Sequence, residues 1–164
     1  MITSNSAGCG IALFALQCLP PDVTVDDVIL VSPAVSPDFD LSPALAHVRG
    51  KMYYFDSPMD VLTLWLGTGI FGTIDQKKSA GAGLVGFHPP ASTRSESYDK
   101  LVEVKYDISW SRWGYLGTHL SGMSSAWALN VIAPILVHDE KEMTAAEPRN
   151  VRTLPTPRRV ALLP

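Results

Sequence analysis

Val28-Ile29-Leu30-Val31-Ser32 is a continuous apolar run preceded by Asp26-Asp27 and closed by Pro33. A short apolar stretch without alternation, bounded by breakers, reads as a strand buried on both faces of a parallel sheet. Lys51-Met52-Tyr53-Tyr54-Phe55, ending at Asp56-Ser57-Pro58, is a second such strand, and Val102 to Tyr106 a third. Cys9 to Leu19 has the composition of a buried helix, and Pro20-Pro21 stops it. Ser42 to Val48 is a short helix, with Asp40 or Ser42 to cap it and Gly50 to end it. Val61 to Leu66 makes a helical turn or two, and Ser97 to Leu101 another short helix. Met123, Trp127, Val131 and Ile135 have helical spacing, so Ser121 to Leu136 is the last helix. Gly67 to Gly86 and Trp110 to Gly117 read as loop, and Met1 to Thr3 is too short to be an element. Alternating strands and helices predict an α/β fold, a parallel sheet with flanking helices. Three strands make that sheet thin.

The chain has 164 residues, 46% of them hydrophobic, enough for one domain with a sizeable core. That domain takes residues 1–138. Residues 139–164 interleave Arg149, Arg152, Arg158 and Arg159 with Pro148, Pro155, Pro157 and Pro164, which reads as a solvated tail. A net charge of −3, with 13 Lys and Arg that form no stripe, argues against a nucleic-acid partner. Ile11 to Leu19 is the most hydrophobic stretch, far below the roughly 20 residues of a membrane span. It also lacks a basic leader and a small-residue cleavage site. Cys9 and Cys18 are too few for a disulfide framework or a metal knuckle and read as small core residues. The expectation is a cytoplasmic chain with no cofactor and no metal. Its oligomeric state has no signature in the sequence.

Ser4-Asn5-Ser6-Ala7-Gly8 fits small-x-Ser-x-Gly, a relaxed form of G-x-S-x-G. That chemistry needs a sharp strand-to-helix turn presenting a serine Oγ at the carboxyl edge of a sheet. Small residues on either side let backbones pass, and the helix N-terminus favours a developing oxyanion. A plain helix cap would also place a serine here. Asp60 lies just past the second strand, where open α/β sheets collect working residues; the alternative is a loop-capping aspartate. Asp56 is its rival but follows the strand directly, placed to cap the turn with Ser57. His119, in Gly117-Thr118-His119, precedes the last helix. His47 sits on a helix as a surface residue, His88 lies beside Pro89-Pro90, and His138 opens the tail. The order Ser…Asp…His at strand-to-helix junctions is that of one known class of hydrolytic triad.

Together these segments resemble the α/β-hydrolase superfamily over roughly residues 1–137. Ser-x-Ser-Ala-Gly before an apolar helix resembles its nucleophile elbow. Asp27 to Ser36 resembles the sixth strand and its exit, and Tyr53 to Asp60 the seventh strand with the acid loop. Gly117-Thr118-His119, followed by a helix containing Pro134, resembles the histidine loop and terminal helix. The resemblance implies a partial α/β-hydrolase fold, the C-terminal portion of a longer protein from the elbow onward. It implies Ser6 as nucleophile, His119 as general base and acid, and Asp60 orienting the imidazole. The backbone N–H of Ala7 would be one oxyanion donor, with the second supplied from before Met1. The function so implied is hydrolysis of a small ester-like acyl compound through an acyl-enzyme. The alternatives are a non-catalytic domain of the same fold that binds a small molecule or protein, or an inactive truncated fragment.

Gly67-Thr68-Gly69-Ile70-Phe71-Gly72 and Gly81-Ala82-Gly83-Leu84-Val85-Gly86 both match G-x-G-x-x-G. A dinucleotide site needs that motif to follow a strand and open a helix. Neither copy is expected to open one, so the glycines are read as packing a loop near the sheet edge. Trp110, Trp113 and Tyr115 either line a pocket there or are plain packing.

Overall fold

The computed structural model describes residues 1–60, 73–77, 79–88, 96–118 and 120–137. The expected turn over 61–66, the first glycine repeat over 67–72, His119, His138 and the tail over 139–164 lie outside the described residues.

Four parallel strands form one sheet, β1 (Ile2–Asn5), β2 (Val28–Val31), β3 (Met52–Phe55) and β4 (Leu101–Val104), adjacent in that order. The fold class is α/β. The strand that local pattern misses is β1, because four residues at a sheet edge carry no periodicity. Pairing makes it a strand: Ile2 N–H donates to Asp27 O at 3.0 Å, and Ile2 to Asn5 run in register with Val28 to Val31.

Alternation along the strands sorts side chains onto two faces. Val28, Leu30, Met52 and Tyr54 pack with Cys9, Leu13 and Leu16 of α1 (Ala7–Gln17) and with Ala44 and Leu45 of α2 (Ser42–Leu45). Ile29, Val31 and Phe55 face the other way, against Tyr115, Trp127 and Ile132. With both faces covered, all four residues of β2 are buried, which is why it reads as unbroken apolar sequence. α1 meets the sheet on one side only, so Ile11 is 64% exposed. Cys18 caps its far end and is exposed, so only Cys9 is a core cysteine. Burial pushes the Cys9 thiol up to about 12, well outside the range of a working nucleophile at neutral pH.

The glycine-rich stretch is not all loop, because its second repeat forms the single helical turn α3 (Ala82–Val85). Its glycines serve close packing between strand exits. A Cβ on Gly83 would stand 2.6 Å from the carbonyl carbon of Ser32. Gly83 N–H donates to Pro33 O at 2.8 Å, and Gly83 O accepts from Ser57 N–H at 2.7 Å. Backbone cannot give way cheaply, so Gly83→Ala is expected to cost about 1–3 kcal/mol of stability, read from denaturant unfolding. A variant as stable as the parent would contradict this packing.

The expected loop at 110–117 begins as a 3-10 helix, Ile108–Trp113, and 3-10 turns also form at Glu96–Lys100 and Ser121–Met123. The last helix, α4 (Ser125–Trp127), therefore starts later than its spacing predicts, capped by Ser124 Oγ on Trp127 N–H at 3.4 Å. It widens into a π stretch, Ala128–Ile132, and resumes over 133–137. Pro134 has no N–H to give the preceding turn, and the wide turn next to it absorbs that loss. The altered register buries Ile132 beside Trp127 and leaves Met123 exposed. Among the described residues no helix is long and apolar enough to cross a membrane.

Candidate functional site

All four strands run the same way, so Asn5, Val31, Phe55 and Val104 line one carboxyl edge in register. Side chains leaving that edge are the ones an open α/β sheet offers for chemistry. Ser6 leaves it from β1, Ser32 from β2, and residues 56–60 from β3.

Ser6 alone makes the turn from β1 into α1, at φ 57° and ψ −130°. A non-glycine residue held there costs on the order of 1–3 kcal/mol. Three backbone hydrogen bonds hold it: Ser6 N–H donates to Val31 O at 2.9 Å, and Ser6 O accepts from Cys9 N–H at 3.0 Å and Ala34 N–H at 3.3 Å. The Ser6 hydroxyl makes no capping bond to the helix, so a plain cap does not describe it. Ala7 is the first residue of α1, where an N–H has no partner within the helix and the dipole is positive.

The close approach expected at Gly8 is absent: a Cβ there meets nothing within 4 Å, because β1 is the edge strand. It occurs instead at Gly10, where a Cβ would collide with the side chain of Ile74. The strain at Ser6 has its own test. Ser6→Gly should be more stable than Ser6→Ala by about 0.5–1 kcal/mol, since glycine escapes the steric cost at some entropic expense. Equal unfolding midpoints would argue against a strained turn.

Asp60 is 4% exposed, and its N–H donates to Ser57 O at 2.9 Å. Met59 N–H, beside it, donates to Gly117 O at 3.1 Å, tying the loop that carries Asp60 to the chain two residues before His119. Gly117 has φ +67°, and a Cβ there would press on Met59 Cγ at 3.2 Å and the Tyr106 ring at 3.3 Å. Only glycine suits both the conformation and the space. Beyond it, Ser121 Oγ accepts from Thr118 N–H at 3.0 Å and donates to Thr118 O at 2.7 Å. These bonds tie the two sides of position 119 together.

The rival Asp56 does not cap the turn with Ser57. Its carboxylate accepts from Tyr106 N–H and braces the exit of β4, where burial raises it above the usual carboxylate range. His47 lies just past α2, half-buried, with Nδ1 on Val23 O at 2.8 Å, while His88 is exposed. Tyr115 is fully buried and stacks on Trp127 at 4.3 Å, and Trp110 and Trp113 pack on the same cluster. Packing describes Trp110 and Trp113, whereas Tyr115 packs through its ring and also hydrogen-bonds through its hydroxyl, to Asp56 O at 2.8 Å.

Sequence reasoning missed Ser32 and Ser57. Their hydroxyls are hydrogen-bonded to each other, and Ser57 Oγ also meets Tyr115 OH at 2.9 Å. The available signal was the Ser-Pro pair repeated at the ends of two strands, Ser32-Pro33 and Ser57-Pro58. Ser32 is also held at a positive φ of 49°. Compared with known proteins, the chain matches no family model, and no curated protein or solved structure is significantly similar to it.

Proposed function

We propose that the chain is a serine hydrolase of the α/β-hydrolase type, cleaving a small ester-like acyl compound. Ser6 attacks the acyl carbon, and His119 takes its proton and returns it to the leaving group. Asp60 orients the imidazole and stabilises its protonated form. The N–H of Ala7 receives the developing oxyanion. The observation that carries this reading is the positive φ of Ser6, an uncapped serine turning alone from a parallel strand into a helix. The bond from Met59 to Gly117 supports it by joining the acid loop to the segment that leads to His119. Met59, Leu116 and Leu120 expose large apolar side chains on those two segments, which favours an apolar acyl group.

The test is release of p-nitrophenol from a series of p-nitrophenyl esters of increasing chain length. A burst equal to the enzyme concentration, followed by slower turnover, marks an acyl-enzyme. Hydrolysis at the buffer rate by a folded chain would refute the proposal.

One observation favours a non-catalytic binding domain instead. Among the described residues the elbow has open space over Gly8, and Ala7 is its one assigned oxyanion donor. Loss of a single such donor typically costs about 10²–10³ in rate. On that reading Ser6→Ala leaves ligand binding unchanged.

A further inference from the structure

We propose that Ser57 and Tyr115 are positioning residues that fix the acid loop against the segment leading to His119, through a one-way chain of buried hydroxyls. The inference rests on the serine-hydrolase reading. Ser32, Ser57 and Tyr115 are all fully buried. Tyr115 OH donates to Asp56 O at 2.8 Å, so its one proton is committed. It must then accept from Ser57 Oγ at 2.9 Å, and Ser57 must in turn accept from Ser32 Oγ. The chain therefore runs from Ser32 to Ser57 to Tyr115 to the Asp56 carbonyl, with every link satisfied.

Its members come from three separate segments of the sheet's carboxyl edge. Ser32 follows β2, Asp56 and Ser57 follow β3, and Tyr115 lies four residues before His119 in the chain. Asp60 is three residues beyond Ser57, and its N–H donates to Ser57 O at 2.9 Å. The bond between residues 57 and 115 therefore ties the loop that carries Asp60 to the segment that leads to His119. Apolar packing would hold the loops together but leave them free to slide, whereas hydrogen bonds have a narrow distance and angle. The tyrosine ring is anchored in turn by its stack on Trp127, 14° from parallel. Burying these hydroxyls costs little while each has its partner, and removing one leaves the others short.

On the hydrolase reading Asp60 orients the imidazole of His119, and a loop out of register would turn the carboxylate away from it. The protonated imidazole is then less stable, so its titration moves to lower pH and proton transfer slows. The experiment is the rate of phosphonylation by a fluorophosphonate across about pH 5–9, for the full chain, Tyr115→Phe and Ser57→Ala, with thermal melts alongside. Tyr115→Phe keeps the ring and its stack, and Ser57→Ala keeps the backbone bonds of residue 57. Both variants are expected to fold, to label about 10–100-fold more slowly at neutral pH, and to show the acid limb displaced to lower pH. A folded variant with the parent's rate and limb overturns the proposal. So does a slower rate with an unmoved limb, which would mark the hydroxyls as packing alone, and so does failure of both variants to fold. A parent chain that never labels overturns the hydrolase reading itself, and is recognised before any variant is made.

Discussion

Ser6→Ala is expected to lower ester turnover by about 10⁴-fold or more, with little change in melting temperature. The size follows from the nucleophilic role proposed for Ser6: without a nucleophile the remaining groups of such a site can only assist water, and losses reach roughly 10⁶ where a triad acts as a unit. The unchanged stability follows from local structure, since the Ser6 hydroxyl caps nothing and alanine inherits the same backbone strain. Turnover of p-nitrophenyl ester by the purified variant measures the first, and a thermal melt the second. A variant retaining a tenth of the parent rate would place the nucleophile elsewhere.

Asp60→Asn is the second large effect, a fall of about 10⁴ in turnover with the fold intact. Asparagine keeps the shape of the side chain and adds no buried charge at a position that is 4% exposed. It replaces an oxygen acceptor with an N–H₂ donor, so the imidazole is held in the wrong tautomer for accepting the serine proton. Asp56→Asn is the control. Its amide oxygen still accepts from Tyr106 N–H, so turnover should change far less. Comparable losses in both variants would mean that the acid has been misassigned between the two aspartates.

How much of this was readable in the sequence depended on how far apart the cooperating residues lie. β2 and β3 announced themselves because both faces of the sheet are covered, so Val28 to Val31 and Met52 to Phe55 needed no partner to be recognised. β1 did not, since Ile2 to Asn5 become a strand only by pairing with β2, 26 residues further on. The last helix was found, but its π stretch was not. Period counting assumes an unbroken helix, and Pro134 breaks that assumption.

The site divides in the same way. That Ser6 and Asp60 follow strands is legible from order, and the structure does place them after β1 and β3. The positive φ of Ser6 and the missing capping bond are conformational facts that no residue type announces, since serine is as common in a cap as in an elbow. The second glycine repeat matches a nucleotide-loop pattern but reads as packing near the sheet edge, and Gly83 does pack between two strand exits. The link between Ser57 and Tyr115 spans 58 residues, beyond any local pattern.

The central claim is that Ser6 is a nucleophile, and intact-protein mass spectrometry after exposure to a fluorophosphonate tests it most directly. The account predicts a single adduct, carried on the peptide that contains Ser6 and absent from Ser6→Ala. A folded chain that gains no mass, or an adduct mapped to another residue, would contradict it.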